Sequence, residues 1–309
     1  MLDDANVIQQ RDPEGALGIA ADQWQQVKYD AIVEDGDHDG RDVTKVVITG
    51  MGGSALAGLL AKALLEEELF IPFEVVRGYE LPTYVDAGTL VIASSYSGNT
   101  EETISALEQA RGRGAQIAVL AAGGKLVEVA KAEGIARVVL PGGMQPRMAM
   151  LANMRALVTL LVHFGVVSDT LNSDLAATAD WLHEQSAQWV PDVSTDKNDA
   201  KQLALLAVGK TPVIYGGRLT GPVAYKWKIS WNENAKNVAF WNELPEFNHN
   251  EFIGWSSHPV EKPFVVFDLL SSFEHPRILK RFEVSDRLLS GLRPIRLIDS
   301  SSLSKDKLA

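Results

Sequence analysis

The chain is predicted to fold as α/β: two doubly wound, flavodoxin-like modules, each a parallel β-sheet flanked by helices. Three observations predict it. Short β-branched runs alternate with helical segments, the pattern of parallel strands joined by crossover helices. One strand-to-turn passage recurs far downstream. The 309 residues are 46% hydrophobic, enough for two cores of ordinary size.

The first expected strand is Val46-Val47-Ile48-Thr49-Gly50, which breaks at Met51-Gly52-Gly53-Ser54 into a small, apolar, helix-like segment. Further strands are expected at 73–77, 90–94, 115–120 and 137–140, with helices from Thr100 to Arg111 and from Lys125 to Glu133 between them. Runs that are apolar throughout, rather than alternating, belong to strands covered on both faces. The apolar segment from Arg147 to Gly165 is expected to be a buried helix closing the first module. Helical patterns from Leu171 to Trp189 and from Ala200 to Val208 lead into the second, with a break at Pro191-Asp192-Val193-Ser194. These features divide the chain into domains 1–167 and 168–309, the second carrying a shortened C-terminal end.

Pro212-Val213-Ile214-Tyr215 runs into Gly216-Gly217-Arg218 and then Leu219-Thr220-Gly221, repeating the first strand and turn at an offset of 164 residues. LVIASSYSG from Leu90 and FVVFDLLSS from Phe264 form a second pair, offset by 174. Two strand-to-turn pairs at nearly equal offset predict a duplicated module.

Composition narrows the function classes. A formal net charge of −11 argues against nucleic acid as a partner. No apolar run approaches the ~20 residues that span a bilayer. The opening MLDDANVIQQ lacks the basic start and apolar stretch of a signal peptide. With no cysteine, disulfides and thiolate metal sites are excluded, and a cytoplasmic protein is expected. An anion site in so acidic a chain has to be made locally, from N–H groups, hydroxyls and single cations.

The strongest local signal is Ser94-Ser95-Tyr96-Ser97-Gly98-Asn99-Thr100-Glu101-Glu102, directly after a strand. Ligands of open α/β sheets bind at the carboxyl ends of strands. Hydroxyls at 95, 97 and 100, and the free N–H groups that open the next helix, could cradle a phosphate monoester there. The plain alternative is a serine-rich turn with a helix cap, yet three hydroxyls exceed what one cap uses.

Two other patterns compete. Gly50-Met51-Gly52-Gly53-Ser54-Ala55 fits the G-x-G-x-x-A dinucleotide fingerprint, but Arg77 stands where an acidic residue is expected. Asp35-Gly36-Asp37-His38-Asp39-Gly40 opens like an EF-hand loop, but its twelfth position is Val46 rather than a glutamate, so an acidic solvated loop is expected. Downstream, Trp231-Asn232-Glu233-Asn234-Ala235-Lys236 and Asn242-Glu243-Leu244-Pro245-Glu246-Phe247-Asn248-His249-Asn250 concentrate amides, carboxylates and one histidine among aromatic residues. Taken alone, Glu233 could be a helix-surface carboxylate and His249 a capping histidine.

With MGGSALAG, SSYSGNTEET, PGGMQPRMAM, NENAK and LPEFNHNEFIGW in this order, the sequence resembles the bifunctional phosphoglucose/phosphomannose isomerases of the sugar-isomerase (SIS) superfamily, from about Val46 to Trp255. The resemblance implies two SIS domains and interconversion of glucose 6-phosphate with fructose 6-phosphate, with mannose 6-phosphate as a further substrate, through a cis-enediol. It implies that Ser54, Ser95, Ser97 and Thr100 hold the phosphate, and that Gly52 and Gly53 let the backbone approach the sugar. Arg147 would stabilise the enediolate, Glu233 would move the proton between C1 and C2, and His249 would assist ring opening. A homodimer with a shared site is implied, the histidine coming from the partner, and the chemistry calls for no metal or redox cofactor. The family continues through a C-terminal helix bearing a lysine that reaches the site. The sequence reads as shortened there, and neither Lys305 nor Lys307 is assigned that role. The alternative is a non-catalytic SIS protein that binds a sugar phosphate; intact Glu233, His249 and Arg147 favour the enzyme.

Overall fold

The structure is a computed structural model and describes residues 1–37, 40–257, 263–292 and 295–299. Along the chain run α1 (Ala5–Arg11), α2 (Ala16–Ala21), α3 (Trp24–Lys28), β1 (Val33–Glu34), β2 (Lys45–Thr49), α4 (Gly52–Leu65) and β3 (Phe73–Val76). There follow β4 (Thr89–Ser94), α5 (Glu101–Gly112), β5 (Gln116–Ala121), α6 (Gly124–Glu133), β6 (Ala136–Val139), α7 (Met150–His163) and α8 (Thr170–Ser186). The remainder comprises α9 (Asp199–Ala207), β7 (Thr211–Gly216), α10 (Gly221–Glu233), β8 (Phe240–Glu243), β9 (Phe264–Leu270), α11 (Pro276–Leu288) and β10 (Ile295–Asp299). The chain forms two compact units: Glu14–Ala187, and Met1–Pro13 together with Gln188–Ala309.

In the unit Glu14–Ala187 the strands lie in the order β1-β6-β5-β4-β2-β3, parallel except for the two-residue edge strand β1. Val46, Val47, Ile48, Leu90, Val91 and Ile92 are all buried, as strands packed on both faces require. Their even and odd positions feed separate clusters. Ile48, Leu90 and Ile92 meet α4 and α7, whereas Val47 and Val91 meet Ala106 and Ala110 of α5. The chain passes from β2 out to β3 and returns to the other side of β2 as β4. The direction of winding therefore reverses between β2 and β4, whose carboxyl ends flank the crevice where such sheets take ligands.

The apolar segment expected to be helical from Arg147 begins instead with a tight 3-10 turn, Pro146–Met148, and becomes α-helical at Met150. Proline opens that turn at no cost, because its missing N–H would have had no partner there.

In the other unit the order is β10-β9-β7-β8, all parallel. This repeats the wiring β5-β4-β2-β3 of the first sheet, with β7 in the place of β2 and β9 in that of β4, as duplication predicts. Ile214, Val265 and Phe267 pack with Ala224, Trp227 and Trp231 of α10 on one face. Val213, Tyr215 and Val266 pack with Phe247, Trp255 and α11 residues Ile278 and Phe282 on the opposite face. The N-terminal residues are tied into this unit by Asp3, whose carboxylate takes hydrogen bonds from Lys201 Nζ (2.7 Å) and Thr195 Oγ1 (2.8 Å). The Lys201 ammonium beside it, helped by Thr195, holds the Asp3 carboxyl down at about 2.

Candidate active site

Two turns build a polar crevice at the carboxyl ends of β2 and β4. After β4 the chain doubles back through Ser95–Thr100, with Gly98 at φ 69°, a left-handed conformation that suits glycine. A Cβ on Gly98 would also lie 1.8 Å from the Gly123 carbonyl oxygen, so this loop can sit on the start of α6 only with glycine there. Asn99 fastens the same contact: its Oδ1 accepts from Lys125 N (3.0 Å) and its Nδ2 donates to Ser97 O (3.2 Å).

The hydroxyls of this loop converge. Ser95 Oγ lies 2.7 Å from Thr100 Oγ1 and 3.4 Å from Ser97 Oγ. Ser54, in the first turn of α4, accepts from Tyr96 N at 3.0 Å, which brings the turn after β2 against the loop after β4. Ser95 and Ser54 are buried, Thr100 half-buried and Ser97 exposed, so the group opens outward from a fixed floor. Both α4 and α5 begin at this crevice, and neither receives a side-chain cap from the residue that precedes it. The first N–H groups of a helix have no intrahelical partner, and with the helix dipole they attract anions. Glu101, the first residue of α5, accepts from Tyr79 Oη at 3.0 Å, and that bond pushes the Tyr79 phenol up.

Gly53 serves a close approach. A Cβ there would stand 2.9 Å from the Pro146 carbonyl oxygen and 3.3 Å from Arg147 Cα. The segment carrying Arg147 thus lies against the start of α4, and Gly52 stands exposed beside it. Two side chains that sequence reasoning missed hold that segment. Gln26 of α3, buried, donates to Met148 O (2.8 Å) and accepts from Ala152 N (3.0 Å). Tyr96 Oη donates to Pro141 O (2.8 Å) and accepts from Met144 N (3.0 Å). Ser54, Ser95, Ser97, Thr100, Gly52, Gly53 and the Arg147 backbone are therefore assembled within one unit.

Glu233 and His249 belong to the other unit. Glu233 is the exposed last residue of α10. The helix ends there because Lys236 enters the left-handed region at φ 54°, its Nζ donating to Glu233 O at 2.6 Å. His249 is exposed at the end of a 3-10 turn, Glu246–His249, anchored by buried Phe247. Asn248 Nδ2 donates to Ser285 Oγ of α11 at 2.9 Å. Glu251, two residues beyond His249, accepts from Asn242 Nδ2 (2.7 Å) and from Tyr215 Oη, which itself accepts from Trp255 Nε1 (3.0 Å). Phe247 packs on the face of Val213 and Tyr215, and α10 on the face of Ile214. Within one chain, then, the helix that ends at Glu233 and the turn that ends at His249 pack on opposite faces of the four-stranded sheet.

The acidic loop before β2 behaves as a structural element where it is described. Asp35 and Glu34 pair with the buried Arg137 guanidinium, while His38 and Asp39 lie outside the described residues. No cluster of metal-ligating side chains occurs among the described residues. The tail Ser300–Ala309 likewise lies outside them.

Comparison with known proteins places these features in context. Residues 41–160 match the SIS domain family, and residues 196–303 match the family described as bacterial phospho-glucose isomerase C-terminal SIS domain. A bifunctional phosphoglucose/phosphomannose isomerase from Caldicellulosiruptor bescii is 38% identical over 270 residues, covering 85% of this chain and 79% of that protein. The protein of the same description from Aquifex aeolicus is 36% identical, covering 82% of this chain and 75% of its own. Among solved structures, tagatose-6-phosphate ketose/aldose isomerase from Escherichia coli superposes with a TM-score of 0.58 at 18% identity, covering 87% of this chain and 73% of that one.

Proposed function

The chain belongs to the bifunctional phosphoglucose/phosphomannose isomerase family, and from that premise we propose how its residues divide the work of the reaction. It is a sugar-phosphate isomerase that interconverts glucose 6-phosphate and fructose 6-phosphate, with mannose 6-phosphate as the epimeric aldose. The observation that carries the assignment of residues is the hydroxyl crevice at the winding reversal between β2 and β4. Ser54, Ser95, Ser97 and Thr100 take the phosphate oxygens there, beside the starts of α4 and α5.

The reaction moves one proton between carbons, from C2 to C1, and one between oxygens, from the C2 hydroxyl to O1, so that C2 becomes the carbonyl and C1 a CH2OH. In the open-chain aldose phosphate, Glu233 removes the proton from C2 and returns it to C1, through an enediolate whose negative charge lies on the oxygens of C1 and C2. Arg147 supplies the cation facing that charge, on a segment fixed by Gln26 and Tyr96. His249 protonates the ring oxygen as the C1–O bond of the cyclic form opens, and accepts the proton of the C1 hydroxyl. The packing of the Glu233 helix and the His249 turn on opposite faces of one sheet supports a site that draws the two groups from two copies of the chain. We therefore assign the protein as a homodimer with shared sites. Residues 1–167 supply the phosphate cradle, and residues 168–309 supply the base and the histidine.

A coupled assay of fructose 6-phosphate conversion tests this reading. Wild type is expected to turn over, and Glu233→Gln to lose at least about 10³-fold in kcat while still binding substrate by calorimetry. Turnover by Glu233→Gln at the parent rate would remove the assignment of the base.

A further inference from the structure

The duplicated unit has a crevice of its own, at the winding reversal between β7 and β9, bounded by the turn Gly217–Thr220 and the turn Ser271–His275. These occupy the positions held in the first unit by the Gly50–Ser54 turn and the Ser95–Thr100 loop. The donors of an anion site are present. α10 begins at Gly221 without a side-chain cap from Thr220, whose hydroxyl donates to Leu269 O (3.0 Å), and the N–H groups of Leu219 and Thr220 face the crevice.

Those donors are already engaged. Glu274, only 3% exposed, puts Oε1 within 2.8 Å of Leu219 N, 3.0 Å of Thr220 N and 3.3 Å of Thr220 Oγ1. Its Oε2 is buried with no hydrogen-bond partner among the described residues. The turn is shaped to this group: a Cβ on Gly217 would lie 2.5 Å from the Glu274 carboxyl carbon. An ordinary N-cap is the residue that precedes its helix. Glu274 comes from 54 residues downstream and from the turn equivalent to the phosphate loop.

We propose that the β7–α10 turn is a second anion cradle whose resident ligand is the Glu274 carboxylate. A carboxylate-sized anion is held permanently where the first unit offers its phosphate position. Each chain then keeps one sugar-phosphate cradle, although the module occurs twice. The duplicated turn instead fixes the start of the helix that ends at Glu233. The carboxylate site stands on the geometry of this unit, and only the comparison with the first unit's phosphate position rests on the proposed function.

Removal and replacement of the anion test it. Thermal unfolding of Glu274→Ala in chloride buffer is expected about 5–10 °C below wild type, since the Leu219 and Thr220 N–H groups lose a charged acceptor. Acetate or formate at matched ionic strength is expected to restore at least half of that loss, with little effect on wild type. A Glu274→Ala protein as stable as its parent, or one that gains no more from acetate than wild type does, overturns the proposal. If the alanine variant does not fold, Glu274→Gln decides: it keeps the shape without the charge and must melt below wild type at neutral pH. Equal melting temperatures overturn the proposal.

Discussion

Ser95 Oγ lies 2.7 Å from Thr100 Oγ1, so one hydroxyl of the loop after β4 is positioned by another five residues on. The Thr100 hydroxyl makes no cap to its own helix, which leaves the start of α5 turned toward the crevice. Both side chains are proposed phosphate ligands. Ser95→Ala and Thr100→Ala are each expected to raise KM about tenfold for either sugar phosphate. Because each also positions the other, the double variant should fall short of a hundredfold, about the product of the single effects. Strictly additive effects in a double-mutant cycle would show the two hydroxyls acting independently.

Asn99 is expected to matter without touching substrate. Its side chain clamps the loop to Lys125 N and Ser97 O, beside the Gly98–Gly123 contact. Asn99→Ala frees a loop that has to hold hydroxyls to within about an ångström. The expected result is a KM about tenfold higher with kcat changed less than about twofold, as for loss of uniform binding. A fall in kcat alone would place Asn99 elsewhere in the reaction.

Gln26 should show the opposite split. Its amide bridges Met148 O and Ala152 N in the interior, holding the segment that carries Arg147. Gln26→Leu leaves both backbone groups without that partner and is expected to cost about 1–3 kcal/mol in urea unfolding. Because Arg147 is assigned to the enediolate rather than to the phosphate, kcat should fall more than KM rises. Rescue of kcat is not expected from Gln26→Glu, which at neutral pH lacks the donor for Met148 O.

Much of this arrangement was legible in the residues. The strands at 45–49, 89–94 and 116–121 come from short apolar runs rich in β-branched residues, which in a chain with crossover helices have few other uses. The hydroxyl loop was legible because its serines and threonine are neighbours in sequence. Gln26 and Glu274 were not, for a common reason. Each satisfies partners far along the chain, 122 residues away for Gln26 and 54 for Glu274, and each sits in a segment whose polarity reads as solvated. The pairing of β1 with β6 was equally silent, because a strand of two residues carries no periodicity. The separation of Glu233 from His249 needed the faces of the sheet, which follow from register and not from motif.

Glu243 offers a test by pH. It ends β8, and burial first, then the charge of Glu274, push its carboxyl above the usual range. A carboxyl whose folded value lies above its unfolded value stabilises the fold only while protonated. That contribution is full below the unfolded value of 4.5 and is lost as pH rises through the folded one. Glu243→Gln is therefore expected to melt with wild type below about pH 4 and above it at pH 7. An equal or lower melting temperature at pH 7 would mean that the Glu243 charge is accommodated.

The proposed shared site makes a prediction that no single-chain arrangement makes. Glu233→Gln and His249→Ala homodimers are each expected to be inactive, since every site then lacks one group. When the two variants are unfolded together in equal amounts and refolded, half the dimers carry one chain of each kind. In such a dimer one site has lost both groups, while the other pairs an intact Glu233 with the partner's intact His249. Activity should return to about a quarter of wild type per chain, the fraction of sites that random two-fold pairing leaves whole. If both groups came from the same chain, every site would lack one of them and mixing would restore nothing. Recovery near a quarter, set against inactive homodimers refolded alone, decides between the two, and the packing of the Glu233 helix and the His249 turn on opposite faces of one sheet predicts recovery.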